Sequence, residues 1–258
     1  MFIFTKSSLG AVMNSITGLR VAVTGGTSGL GLALVGALCA RGARVAFVAR
    51  GRERVERVAA ECPGSHGITG DVSVKTDTYP IAVQILGELG GLDVLINNAS
   101  DLGPASLRLL GDTDCEDLER ALATNLVGPF RLTKAVLGAL SASAREGRGA
   151  VVVNVSSDAA VTPYPTWGAY SASKAALKHL SAIWDAELDG QGVRVISLDP
   201  GDMDTPLHAQ AVPDADRGTL KRPEVAALEV IAAIEAALPA RDRESATSGA
   251  AAEQEAAS

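Results

Sequence analysis

Leu19-Arg20-Val21-Ala22-Val23-Thr24-Gly25-Gly26-Thr27-Ser28-Gly29-Leu30-Gly31 is the stretch on which the reading of the fold turns. The apolar, β-branched run at Arg20–Thr24, with no polar alternation, predicts a strand buried on both faces. The pattern Leu30–Ala40 that follows has helical periodicity. Between them, Gly25, Gly29 and Gly31 allow a sharp turn and a close backbone approach. The unpaired N–H groups of the helix start then face outward, which favours an anion such as a phosphate. The plain alternative is an ordinary strand–helix turn, so the rest of the chain has to decide.

Moving outward, the same alternation repeats. Strands are predicted at Arg44–Ala49, Leu92–Asn97, Ala150–Val155 and Val193–Leu198, with a weaker one near Ile68. Helices are predicted at Arg52–Ala60, Ile81–Leu89, Glu116–Leu140, Tyr170–Leu188 and Arg222–Leu238. Thr113 with Glu116 reads as a capping box, and Pro80 suits the first turn of its helix. Strand–helix alternation at this spacing implies right-handed crossovers and an α/β fold, a Rossmann-type doubly wound parallel sheet of six to seven strands with helices on both faces. The expected organisation is a flexible N-terminal extension at 1–18, one Rossmann-type domain at 19–240 and a disordered tail at 241–258, with Met13 as an alternative start. The segment 202–220 holds Pro206 and Pro213 and reads as a loop with one helical turn.

Charge and composition exclude several functions. Net charge is −7 with no long basic block, which argues against nucleic acid, because phosphate contacts need clustered Lys and Arg. No apolar run is long enough to span a bilayer, so no membrane partner is expected. Cys39, Cys62 and Cys115 form neither a disulfide framework nor a metal spacing, which points to a reducing, cytoplasmic setting and no metal. Aromatics are only 3% of the chain, so the core must be built from aliphatic side chains.

The second strand ends Phe47-Val48-Ala49-Arg50. A dinucleotide site that prefers NAD usually offers an acid there for the ribose 2′-hydroxyl. Ala49 stands in its place, and the Arg50 guanidinium can pair with a 2′-phosphate. NADP(H) is therefore the preferred cofactor, with NAD(H) possible; the bland alternative is a solvated arginine.

Tyr170-Ser171-Ala172-Ser173-Lys174 opens a helix and puts Tyr170 and Lys174 on one face. An ammonium beside a phenol favours phenolate, which would lower the Tyr170 pKa and suit it to proton transfer. Ser157 ends a strand, and Pro163, Pro165 and Gly168 in the intervening loop can fold it back toward Tyr170. Asn125 interrupts a helix that its amide does not favour; its bland role is a core hydrogen bond.

Taken together, Thr24-Gly25-x-x-x-Gly29-x-Gly31, Asn97-Asn98-Ala99, Asn125, Ser157, Tyr170-x-x-x-Lys174 and Pro200-Gly201 occur in the order and approximate spacing of the short-chain dehydrogenase/reductase (SDR) family, which the chain resembles from Leu19 to Thr205. The resemblance implies hydride transfer between a nicotinamide cofactor and a carbonyl or secondary alcohol. Tyr170 would be the general acid/base, Ser157 would bond the substrate oxygen, and Lys174 would hold the nicotinamide ribose. Asn125 would anchor a proton-relay water. Cofactor contacts would come from Gly25, Thr27, Ser28, Gly29, Leu30 and Gly31 at the phosphates and from Arg50 at the 2′-position. Asp71, Val72, Asn97, Ala99 and Ser100 would serve the adenosine side, and Pro200, Gly201, Met203 and Thr205 the nicotinamide end.

Three positions depart from the family pattern: Ser100 replaces a glycine, Ser28 stands where many NADP-dependent members carry a basic residue, and Asp199 precedes Pro200 where Asn is frequent. A buried Asp199 would need a partner. No final strand follows the last predicted helix, so a homodimer through the two long helices is expected, with a tetramer as the alternative. Leu102, Tyr164 and Trp167 are expected to wall the substrate pocket, and His208 to be solvated. A non-catalytic NADP(H)-sensing protein is the competing function, and an epimerase or dehydratase a third.

Overall fold

The computed structural model describes residues 16–239. The extension at 1–15, the alternative start at Met13 and the tail beyond 239 lie outside the described residues. The packed domain reaches back further than expected, because Ile16 is 2% exposed and Leu19 N–H donates to its carbonyl. The extension therefore cannot run through residue 18.

Six strands form one parallel sheet: β1 (Arg20–Thr24), β2 (Arg44–Ala49), β3 (Ser65–Thr69), β4 (Val94–Asn97), β5 (Ala150–Val155) and β6 (Val193–Leu198), in the order β3-β2-β1-β4-β5-β6. Alternate residues feed opposite faces. Val21 and Val23 of β1 pack with α1 (Gly29–Ala40), α2 (Arg52–Glu61) and α8 (Pro223–Ala237), whereas Ala22 packs with α3 (Thr78–Leu89) and α5 (Gly128–Arg145). Both faces are covered, which explains why the strands read as continuous apolar runs. The chain order reverses between β1 and β4, so a crevice opens at their carboxyl ends.

The remaining helices are α4 (Cys115–Leu122), α6 (Gly168–Leu188) and α7 (Pro206–Ala211). The single helix expected over Glu116–Leu140 is three pieces: α4, a π-helical turn at Ala123–Val127, and α5. The expected capping box does not form. Asp114 is the N-cap, and Thr113 Oγ1 donates back to the Leu109 carbonyl at 3.0 Å. At the opposite end of the sheet from the crevice, Asp93 is fully buried and receives Arg20, Arg148 and Ser143. Among the described residues no helix is long and apolar enough to cross a membrane.

Candidate active site

The crevice is a cavity of about 820 Å³ running from the first glycine turn to α7. Its floor is set by Thr24 at the end of β1, whose Oγ1 accepts from the backbone N–H groups of Asn98 (3.0 Å) and Ala99 (3.1 Å). Asn98 returns the contact through Nδ2 to the Thr24 carbonyl at 2.9 Å. The two strand ends that flank the switch point are thereby tied together, and the glycine turn is held open above them. At Gly31 a Cβ would lie 2.1 Å from the Gly25 carbonyl oxygen, so only a hydrogen fits where the helix crosses the turn. Gly25 itself sits at φ +70°, a left-handed conformation that side chains resist.

This cradle fits a dinucleotide. Gly25, Thr27, Ser28, Gly29 and Leu30 line the cavity at the start of α1, where unsatisfied N–H groups favour phosphate. Arg50, Asp71, Val72, Ala99 and Ser100 line the neighbouring wall, and Pro200, Gly201, Met203 and Thr205 line the far end. Three expected residues stand behind the wall. Gly31 lies beneath the turn. Asn97 is 2% exposed, with Nδ2 donating to Asn154 Oδ1 at 2.8 Å and Thr133 Oγ1 at 3.3 Å, so it braces β4 against β5 and α5 while Asn98 faces the crevice. Asn125 is the third, 1% exposed.

Asn125 lies in the π-helical turn, a rare geometry often found at functional sites. Its Nδ2 donates to the Asp101 carbonyl and to Ser173 Oγ, both at 2.8 Å. Its Oδ1 accepts from the Asp101 N–H at 2.8 Å and Ser100 Oγ at 3.2 Å. The amide is fully engaged, so it anchors the segment after β4 to α6. The departure at Ser100 is therefore built in: its hydroxyl bridges Asn125 and the neighbourhood of Tyr170.

Ser157, Tyr170 and Lys174 meet on one wall. Ser157 follows β5; Tyr170 and Lys174 lie one turn apart on α6, 7% and 2% exposed. Lys174 Nζ donates to the Val155 carbonyl at 2.8 Å and stands 5.5 Å from the centre of the Tyr170 ring. Burial pushes the Tyr170 phenol up to about 12, against the lowering influence of the neighbouring Ser157 and Ser100 hydroxyls. Burial also pulls Lys174 down to about 8, opposed by the Asp199 carboxylate. The lowering of Tyr170 expected from Lys174 is thus not what the site shows. The enclosed phenol is a proton donor at neutral pH, because desolvation disfavours the phenolate.

Leu102, Tyr164 and Trp167 wall the substrate end as expected. Asp199 is exposed, and its Oδ1 accepts from Gly201 N–H at 2.9 Å, so it escapes the cost of burial. His208 differs from expectation: it sits on α7 with its side chain only 14% exposed, because Pro206 starts a helix that turns it into the cavity. Sequence reasoning missed Arg54, Asn98 and Asp158 in the lining. Arg54 was detectable, since it follows Arg50 by four residues and lies in the first turn of α2. The contacts of Asp158 are tertiary and left no local signal.

The family model for short chain dehydrogenases matches residues 20–216. A short chain dehydrogenase of Pseudocercospora fijiensis is 35% identical over 201 residues, 75% of this chain and 62% of that protein. The chain thus spans less than two thirds of that relative's length. A 3-ketoacyl-(acyl-carrier-protein) reductase from Brucella melitensis, complexed with NADH, superposes with a TM-score of 0.79 at 25% identity, covering 84% of this chain and 91% of that one. A short chain dehydrogenase structure from Shigella flexneri, complexed with NADP, gives 0.75 at 25% identity, covering 82% and 89%. The strand order, the glycine turn and the converging Ser157, Tyr170 and Lys174 agree with the sequence match, and this chain belongs to the short-chain dehydrogenase family.

Proposed function

We propose that the protein is an oxidoreductase acting between NADP(H) and a carbonyl or secondary alcohol, with Tyr170 as general acid/base. The observation that carries this reading is the convergence of Ser157, Tyr170 and Lys174 on one wall of the crevice that the glycine turn opens. The bound nicotinamide would supply or accept the hydride. The protein's residues do the rest. Tyr170 gives its phenolic proton to a substrate carbonyl oxygen, or takes one from an alcohol. Ser157 holds that oxygen beside Tyr170. Lys174 would bond the nicotinamide ribose, and the Asn125 turn keeps α6 in register with the crevice.

The preference for NADP(H) is supported by Arg50 and Arg54, which line the cavity where Ala49 removes the competing acid. Two guanidiniums suit a 2′-phosphate. A thermal-shift titration tests both cofactor and class. NADPH at about a hundredfold over its Kd should raise Tm by roughly 5–10 °C, with NADH giving less. Arg50→Ala with Arg54→Ala should erase the difference. A larger shift with NADH would overturn the preference, and no shift with either would overturn the dinucleotide site.

The reading includes a homodimer through α5 and α6. Phe130 and Ile183 on these helices are 38% and 43% exposed, and the Phe130 ring packs 5.9 Å from that of Trp184. Light scattering should give twice the chain mass; a monomer would refute this assembly. A cytoplasmic setting belongs to the same proposal, supported by Cys39, Cys62 and Cys115 as free thiols.

A further inference from the structure

Asp158 follows Ser157 directly and lines the substrate end of the cavity. Its two oxygens are taken by different partners. Ser157 Oγ donates to Oδ1 at 3.0 Å, and Tyr164 Oη donates to Oδ2 at 2.6 Å. Ser157 Oγ also accepts from the Ala159 N–H at 3.2 Å. A hydroxyl has one proton and two lone pairs. With the proton on Asp158 and one lone pair on Ala159, Ser157 has a single lone pair left for its neighbour across the wall.

The second partner sits in a strained loop. Tyr164 belongs to the loop Tyr164-Pro165-Thr166-Trp167, in which Thr166 has φ +75°. A β-branched residue in that region persists only where its surroundings hold it. Tyr164 lies 6.4 Å from Trp167, and Trp167 lies 5.7 Å from Tyr170, ring centre to ring centre. An aromatic row therefore runs from the pocket mouth to the general acid/base, and Asp158 anchors its outer end.

We propose that Asp158 is a positioning residue: its carboxylate aims the Ser157 hydroxyl proton away from Tyr170 and pins Tyr164 at the mouth of the substrate pocket. In the resting site Ser157 then meets the reacting oxygen as an acceptor, matched to the hydroxyl form of the substrate. A carbonyl is bonded by Ser157 only after that proton swings from Asp158. The inference rests on the assignment of Tyr170 and Ser157 to the chemistry. The charged and titratable groups sharing the space are Tyr164 from the loop, Tyr170 and Lys174 from α6, Lys178 on the outer side of α6, Asp199 and Asp202 after β6, and His208 on α7.

Two readouts in the full-length protein test this. In a Tyr79→Phe background, tyrosinate absorbance follows only Tyr164 and Tyr170. The hydrogen bond to Asp158 raises the Tyr164 pKa, so Asp158→Asn and Asp158→Ala should move its ionisation to lower pH, with Tyr164→Phe identifying the step. Oxidation of cyclohexanol, 1-phenylethanol, ethyl 3-hydroxybutyrate and glycerol with NADP+ or NAD+ supplies the second readout, because these alcohols present the hydroxyl that the resting Ser157 accepts. Asp158→Ala should lower kcat about fivefold with little change in KM, equivalent to a lost hydrogen bond at an exposed site. Asp158→Asn should restore most of kcat, because its amide oxygen still accepts from Ser157, while the Tyr164 ionisation stays shifted. An unshifted Tyr164, or a kcat equal to wild type in Asp158→Ala, overturns the proposal. Tyr170→Phe separates it from the reading beneath it. An inactive Tyr170→Phe beside a wild-type Asp158→Ala defeats the positioning role alone, whereas an active Tyr170→Phe defeats the catalytic assignment.

Discussion

Replacing Tyr170 with phenylalanine should lower turnover about a thousandfold while leaving the fold and dinucleotide binding in place. The substitution removes one oxygen from a ring that is 7% exposed and packed against Trp167 at 5.7 Å, so the packing survives. What disappears is the only phenol enclosed on the reactive wall. Burial holds that phenol up to about 12, which keeps it protonated through the neutral range and ready to give its proton to a carbonyl oxygen. Water cannot substitute well, because the group that orients the proton is gone. The check is a ketone-reduction assay beside circular dichroism and the NADPH thermal shift. Near wild-type turnover would end the assignment of Tyr170. Lost turnover accompanied by a lost thermal shift would mean that the change had damaged the site as a whole.

The second large effect concerns stability and lies at the other end of the sheet. Asp93 is fully buried at the start of β4, where its carboxylate receives Arg20 Nη2 at 2.7 Å, Arg148 Nη2 at 2.8 Å, Ser143 Oγ and the backbone N–H of Arg20 at 2.8 Å. One side chain thus ties β1, β4 and the turn after α5. Asp93→Ala leaves two guanidiniums without their shared acceptor. They are 14% and 34% exposed and regain some water, so a cost of about 3 kcal/mol is expected, at the low end for a broken buried pair. For a domain of this size that is roughly 10 °C in Tm.

The same carboxylate makes stability depend on pH. Burial alone would push its pKa up, but the bonds from Arg148, Arg20 and Ser143 hold it well below the usual carboxylate range. Its folded pKa is therefore lower than its unfolded one. The contribution is complete above about pH 4, the unfolded value, and is lost as pH falls below it toward the folded value. Urea unfolding of the wild type and of Asp93→Ala should differ most above pH 5 and converge in acid. A constant difference down to acid pH would show that the charge is not the source.

Much of this was legible in the chain. The bounds of β1, β2, β5 and β6 agree with the expected strands to the residue. Strands β1, β2 and β5 are covered on both faces and write themselves as nearly unbroken apolar runs, whereas the half-exposed edge strand β6 shows itself through Val193, Val195, Ile196 and Leu198. The glycine turn was legible because close backbone approach admits no side chain, and the spacing of Tyr170 and Lys174 because one helical turn fixes it. Helix interruptions were not. The π-turn at Ala123–Val127 leaves the apolar period nearly intact, so Glu116–Leu140 read as one helix.

Which side chains face the crevice depended on the assembled sheet. Asn97 and Asn98 are adjacent and chemically identical, yet one braces the core and the other holds the glycine turn, since neighbouring residues at a strand end point to opposite faces. Ser157, Asp158 and Tyr164 form a network whose geometry comes from a loop with Thr166 in a left-handed conformation. The sequence by itself determined the order of elements, the glycine turn and the one-turn spacing of Tyr170 and Lys174, because local sterics and periodicity govern these. Only the tertiary structure decided the protonation of Tyr170, the engagement of Asn125 and the anchoring by Asp158. Burial and hydrogen-bond partners control those properties, and both arise only when distant segments pack together.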